Sequence, residues 1–169
     1  MAPVGSYESL RAAIAAGADS VYLGIEQLNM RSRSANNFTQ DDLREIAKIA
    51  REAGVKTYLT VNTIIYDKEL PLMRQIVEAA KEAQVTAIIA SDLSVIEYAR
   101  QIGVEVHIST QANVSNTEAL RFFSKYADVV VLARELDMDQ VANIHKNIIE
   151  QKICGPRGEL VQIELFAHG

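Results

Sequence analysis

The sequence predicts an α/β fold, a truncated (β/α)8 TIM-barrel-like domain on a parallel sheet, and three observations carry that expectation. Six short apolar runs each end in a polar or glycine residue: 21–24 (VYLG), 58–62 (YLTVN), 88–92 (IIASD), 106–111 (VHISTQ), 129–134 (VVVLAR) and 163–168 (IELFAH). Strands that are apolar on both faces belong to parallel sheets covered by helices. The stretches between the runs have helical periodicity, so strands and helices alternate strictly, which leaves an open doubly wound sheet or a barrel. No G-x-G-x-x-G follows any strand and there is no P-loop, which disfavours the open dinucleotide-binding sheet. Each strand instead ends in a different polar residue, as suits loops converging on one barrel mouth.

The elements follow in order. Residues 1–6 read as the tail of a strand entering a loop. A helix over 7–16 places Leu10, Ala13 and Ile14 on one face, and Gly17 closes it. A strand over 19–23 leads into a long polar loop reaching Phe38. Thr39 and Asp42 have capping-box spacing, with Asp in place of Glu, before a helix that turns Leu43, Ile46, Ala47 and Ala50 inward. Gly54 ends that helix, and a strand follows over 56–61. Helices are then expected over 69–83, 92–102 and 116–126, with strands over 86–91, 105–109 and 128–132. Asp137 and Gln140 form a second capping box for a helix reaching about residue 150. Residues 154–158 (CGPRG) are a turn cluster, and the last strand is expected over 160–166. No linker or low-complexity stretch divides the chain. Six full strands and a stub are fewer than eight, and barrels typically take roughly 250 residues. The 169 residues are therefore expected to form most of a barrel lacking its first strand.

Composition narrows the function classes. With 49% hydrophobic and 23% charged residues the chain reads as a soluble globular protein. No apolar run approaches the roughly 18 residues of a membrane span and no signal peptide is visible, so the cytoplasm is the expected compartment and no membrane partner is expected. A net charge of -5 argues against a strong nonspecific nucleic-acid footprint. The single cysteine, Cys154, rules out an internal disulfide framework and fits a reducing compartment. No metal site is expected: the three histidines lack ligand spacing, and H-E-x-x-H and G-x-S-x-G are both absent. Cys154 precedes a Gly-Pro turn without an adjacent histidine, which gives a nucleophile little support.

Candidate binding residues collect at the strand ends. Arg31 and Arg33, spaced i, i+2 in the long loop with Asn29, Asn36 and Asn37, can fork onto a phosphate or carboxylate. A solvated loop using Asn for turns is the alternative. Asn62 ends a strand, where its amide can orient a substrate. Asp92 starts a helix at once and is expected to be its N-cap. His107 lies inside a strand, where a hydrogen-bonded core histidine is the commoner role. Ser109, Thr110, Gln111 and Asn113 form a dense polar cluster able to read a base, sugar or small acid, or else to pack the loop. Arg134 and Glu135 follow five apolar residues, so at least one is expected to reach the mouth. Arg134 suits a substrate anion, and a structural ion pair is the alternative. His168 is available as a ligand or acid-base group.

The chain resembles the amino-terminal part of the collagenase-like peptidase family, peptidase family U-32. The resemblance lies in 2–6 (APVGS), 16–24 (AGADSVYLG), 31–38, 60–63 (TVNT), 109–113 (STQAN), 132–136 (LAREL) and 166–169 (FAHG). It implies a barrel-like catalytic region with a mouth lined by Asn62, Gln111, Asn113, Arg134, Glu135 and His168. The family name implies a hydrolase, a collagenase-like protease. The tRNA-hydroxylation branch implies oxygen-independent hydroxylation of RNA bases, a tRNA uridine among them. Related members act on ribosomal RNA or ubiquinone precursors, and prephenate is a hydroxyl source for the tRNA type. Those members carry an iron–sulfur cluster on four cysteines that begin just after the His-Gly pair matching 168–169. The resemblance thus implies no cofactor in this segment and a cluster in the full-length parent, with RNA or a small molecule as the parent's substrate. A non-catalytic binding module is a further alternative. The segment is also expected to self-associate, because strands 19–23 and 160–166 would expose sheet edges.

Overall fold

Apolar side chains on both faces of consecutive strands can be buried only if helices cover the sheet, and the chain folds to satisfy that demand. A computed structural model describes residues 1–25, 28 and 38–167. The chain forms two compact units, Met1–Glu105 and Val106–Gly169.

The first unit contains β1 (Ala2–Pro3), α1 (Tyr7–Ala15), β2 (Ser20–Leu23), α2 (Gln40–Glu52), β3 (Lys56–Val61), α3 (Leu70–Glu82), β4 (Ala87–Ala90) and α4 (Leu93–Gln101). Its strands pair in chain order and in parallel, with Val21 between Ala2 and Thr57, and Leu59 beside Ile88. A doubly wound sheet would reverse direction around its first strand. This run of four does not. Leu23, Leu59, Ala87, Ile88 and Ala90 are fully buried, and Leu43, Ile46, Ala47 and Ala50 form the inward stripe of α2 as their spacing predicts. The Thr39–Asp42 capping box is present in both directions. Asp42 also accepts a hydrogen bond from the Tyr7 hydroxyl at 2.8 Å, which ties α1 to the start of α2. Gly17 and Gly54 take φ of +77° and +72° just past α1 and α2, the left-handed geometry in which a side chain would be strained.

The second unit contains β5 (Val106–Ile108), α5 (Thr117–Phe123), β6 (Val129–Val131), α6 (Met138–Glu150) and β7 (Gln162–Glu164). Its strands are again parallel and in chain order, with His107 beside Val129 and Val130 beside Ile163. The Asp137–Gln140 capping box forms as expected, and Val141, Ile144 and Ile148 are buried. Two expectations need correction. The last strand covers Gln162–Glu164 rather than 160–166, because β6 leaves it there. The Leu132 N–H donates to Glu164 O at 3.1 Å, but the Leu132 carbonyl, which the Phe166 N–H would need for the next rung, accepts from the Thr110 hydroxyl at 3.2 Å. Leu165 and Phe166 are left exposed. Helix α5 is also shorter than 116–126. Asn116 is its N-cap, and the Ser124 hydroxyl donates to Arg121 O at 3.0 Å, drawing the chain out of the helix after Phe123.

Candidate functional site

The carboxyl ends of the second unit's strands hold most of the candidate residues. Beyond β5 the Ser109 hydroxyl accepts from the Gln111 N–H at 3.3 Å and opens a single 3-10 turn over Thr110–Ala112. The Thr110 hydroxyl donates to Leu132 O at 3.2 Å, which fastens this turn to the end of β6. Asn113 follows with φ +53°, a left-handed position that Asn tolerates better than most residues. Gln111 and Asn113 are exposed. Among the described residues neither side-chain amide has a hydrogen-bond partner.

One turn further along, Arg134, Glu135 and Leu136 line a recess of about 440 Å³ together with Met138, Val141, Leu165 and Phe166. The Arg134 guanidinium lies over the Phe166 ring, 5.6 Å from its centroid. Both Arg134 and Glu135 are exposed. Among the described residues neither takes part in an ion pair or side-chain hydrogen bond. The structural ion pair open to Arg134 is therefore not formed there. The arginine is held by an aromatic face, a contact worth about 0.5–1 kcal/mol at an exposed site, and its N–H edges remain available.

His107 is buried within β5, and its Nδ1 lies 3.8 Å from the Glu164 carboxylate on β7. The gap is too long for a hydrogen bond. In the first unit, Asn62 is half-buried directly after β3, and its backbone carbonyl accepts from the Ser91 hydroxyl at 3.1 Å. Asp92 is the N-cap of α4, accepting from the Ser94 N–H at 2.9 Å. Its other oxygen takes the Ile65 N–H at 3.1 Å, so it also pins the loop after β3. Arg31 and Arg33, with Asn29, Asn36 and Asn37, lie outside the described residues, as does His168. Of the expected binding residues, the structure brings Arg134 and Glu135 into one recess. Gln111 and Asn113 share the neighbouring turn, and Asn62 belongs to the other unit.

The family model for peptidase family U32 matches residues 5–169. The chain belongs to peptidase family U32. It is 68% identical over 169 residues to a collagenase from Porphyromonas gingivalis, covering all of this chain and 41% of that protein. It is 33% identical over 172 residues to tRNA hydroxylation protein P1 from Bacillus subtilis, covering all of this chain and 38% of that protein. The chain thus spans about two fifths of the length of these relatives. A solved U32 peptidase structure superimposes with a TM-score of 0.72 at 16% identity, over 96% of this chain and 65% of that one. With the sequential parallel strands of each unit, this likeness gives the U32 chain a truncated TIM-barrel-like α/β fold.

Within this U32 chain Cys154 lies well away from the strand ends just described. It pairs with Leu160 in the turn that precedes β7, so it sits at the amino end of that strand. The thiol is exposed and donates to Lys152 O at 3.4 Å. Among the described residues no group of three or more His, Cys, Asp or Glu is placed to hold a metal ion. A four-thiolate iron–sulfur cluster cannot be built from one cysteine, so the residues of this chain do not fit that cofactor. No described helix is long and apolar enough to cross a membrane.

Phe166, Leu165 and Met138 are the site residues that sequence reasoning missed. Leu165 and Phe166 read as the continuation of a strand, and Met138 as the first turn of a helix. The signal for Leu165 and Phe166 was the break in alternation at residues 163–166, where two apolar residues follow one another beside a charged one.

Proposed function

We propose that the protein is the barrel segment of an RNA-base hydroxylation factor that acts on a tRNA uridine without molecular oxygen. Its iron–sulfur cluster is held by thiolates that lie outside these residues, in the full-length parent. The observation that supports this reading is the Arg134–Phe166 pair: a cation without an acid partner among the described residues, stacked on a half-exposed ring beside a recess at the strand ends. Unstacked RNA bases are taken up on aromatic rings and on guanidinium planes in this way. The exposed amides of Gln111 and Asn113 are suited to reading base edges. Inserting oxygen into a ring C–H removes two electrons from the base. A hydroxylated organic acid takes up those electrons as it gives up its oxygen.

The test is nucleoside mass spectrometry of tRNA from cells lacking the full-length gene. The expected result is loss of a uridine derivative one oxygen heavier than its parent, restored by the wild-type gene and not by one carrying Phe166→Ala. Unchanged tRNA nucleosides would sink the proposal. The 68% identity to a protein named collagenase favours a second reading, cleavage of collagen-type chains by the parent. Its mark would be gelatin cleavage by the purified full-length protein that Arg134→Ala or Phe166→Ala abolishes.

A further inference from the structure

The second unit's sheet holds an ionisable pair that the recess does not use. His107 stands at the centre of β5 with its side chain 4% exposed, and Glu164 ends β7 with its side chain 35% exposed. Strand β6 runs between them: His107 pairs with Val129, which pairs with Gln162, and Val131 pairs with Glu164. Ladder partners, and residues two apart along a strand, share a face of the sheet. His107 and Glu164 therefore stand on the same face, with the buried side chains of Val129 and Val131 there as well. Neither His107 nor Glu164 lines the recess.

A cationic imidazole at this depth is costly without a counter-charge. The Glu164 carboxylate supplies one, with Oε1 3.8 Å from Nδ1. At that separation the two groups attract without a hydrogen bond, so the ring does not consume the lone pairs of the carboxylate. An ion pair offsets its own burial only with close, hydrogen-bonded geometry. This one is open, and one of its ends reaches solvent. Glutamate is also depleted in strands, yet here it ends one, and the carboxyl ends of parallel barrel strands are where catalytic side chains collect. Two groups this close titrate as a unit, because a proton bound by either weakens the hold of the other on its own.

We infer that Glu164 is a catalytic acid–base group and that His107 is its positioning residue, a centre separate from the recess. The inference rests on the RNA-base reading and deepens it by naming where the proton goes. The Glu164 carboxylate takes the proton that leaves the ring carbon and delivers it to the carbon of the hydroxylated acid that has given up its oxygen. The base exchanges a C–H bond for a C–O bond, and the acid exchanges a C–O bond for a C–H bond. Two electrons pass from base to acid, and Glu164 ends as it began.

The first experiment is an NMR pH titration of the 169-residue chain, following the His107 ring and the side-chain carboxyl carbons. In the wild type the His107 and Glu164 signals should share both titration steps, as coupled sites do. Glu164→Gln should lower the His107 midpoint by about one pH unit or more. Glu105, two residues before His107 in the chain, is the control carboxylate, and Glu105→Gln should shift that midpoint less. Full-length variants are then compared in the deletion strain by the rate at which the modified uridine appears after induction. Glu164→Gln should slow it about a hundredfold or more, as loss of a general base does. Glu164→Asp should recover part of the rate, and His107→Gln should cost less than Glu164→Gln. Independent single-step titrations in the wild type would overturn the inference, and so would a larger shift from Glu105→Gln. Modification that is lost on deletion but proceeds at the wild-type rate with Glu164→Gln would sink this inference alone. Unchanged tRNA in the deletion strain would sink the hydroxylation reading and the proton's route with it, and the titration would still decide whether the pair is coupled.

Discussion

Gly155 is a position where a single added methyl group has nowhere to go. A Cβ added there would stand 2.3 Å from Asp128 Oδ1, 2.9 Å from its Cγ and 2.8 Å from its Cα. Asp128 has little room to retreat: it is buried, it takes the Arg157 N–H at 3.1 Å, and its carbonyl accepts from the Gln162 N–H at the start of β7. Two responses are open to Gly155→Ala. If the turn shifts, the overpacking costs about 1–3 kcal/mol. If Asp128 swings away, its charged hydrogen bond to Arg157 is lost, at about 1.5–3 kcal/mol. The accompanying ion pair to Arg157 Nε at 3.2 Å adds little, since that side chain is half-exposed. The routes are alternatives and the chain takes the cheaper, so the expected loss is about 1–3 kcal/mol rather than their sum. Urea unfolding followed by circular dichroism measures it. Gly5→Ala is the control, because a Cβ at Gly5 meets nothing within 4 Å, and it should stay within about 0.5 kcal/mol of the parent. In an Asp128→Ala background the Gly155→Ala penalty should shrink but not vanish, since the added methyl still meets the backbone at position 128. A penalty below about 1 kcal/mol, or one unchanged in that background, would refute the close-approach argument.

Two further outcomes follow from the first unit and the helix caps. Backbone and hydroxyl hydrogen bonds from Thr39, then one from Tyr7, hold the Asp42 carboxyl below the usual carboxylate range. That contribution to stability is present above that range and is lost as pH falls through the native pKa. Tyr7 is pushed up to about 12, first by burial and then by Asp42, so its contribution is present below about 10 and is lost as pH rises toward 12. Stability measured against pH should therefore fall at both ends, and Tyr7→Phe should flatten the alkaline limb; an unchanged alkaline limb would show that Tyr7 does not set it. Asn116→Ala should cost about 1 kcal/mol as a simple cap. Asp92→Ala should cost more, about 2 kcal/mol, because Asp92 holds the Ile65 N–H as well as the start of α4. Equal losses in chemical unfolding would remove the second role of Asp92.

What could be read from the sequence was what neighbouring residues decide among themselves. The boxes at Thr39–Asp42 and Asp137–Gln140 are chemistry within four consecutive residues, and both formed where their spacing put them. The stripe of α2 needs only helical periodicity and an apolar sheet to cover. The end of β7 depends instead on Thr110, a residue 54 positions earlier than Glu164, whose hydroxyl takes the Leu132 carbonyl that the next rung would need. No local pattern in IELF announces that loss. The recess opens where that ladder ends. Had β7 run on to residue 166, Phe166 would have been a sheet residue and Arg134 would have lacked its ring. Because the strand stops, Phe166 swings free to receive the guanidinium. The polar strand ends marked the region correctly, since they follow from sheet geometry. The aromatic partner that gives Arg134 a definite position stayed hidden, since it lies just past a strand end that no local pattern marks.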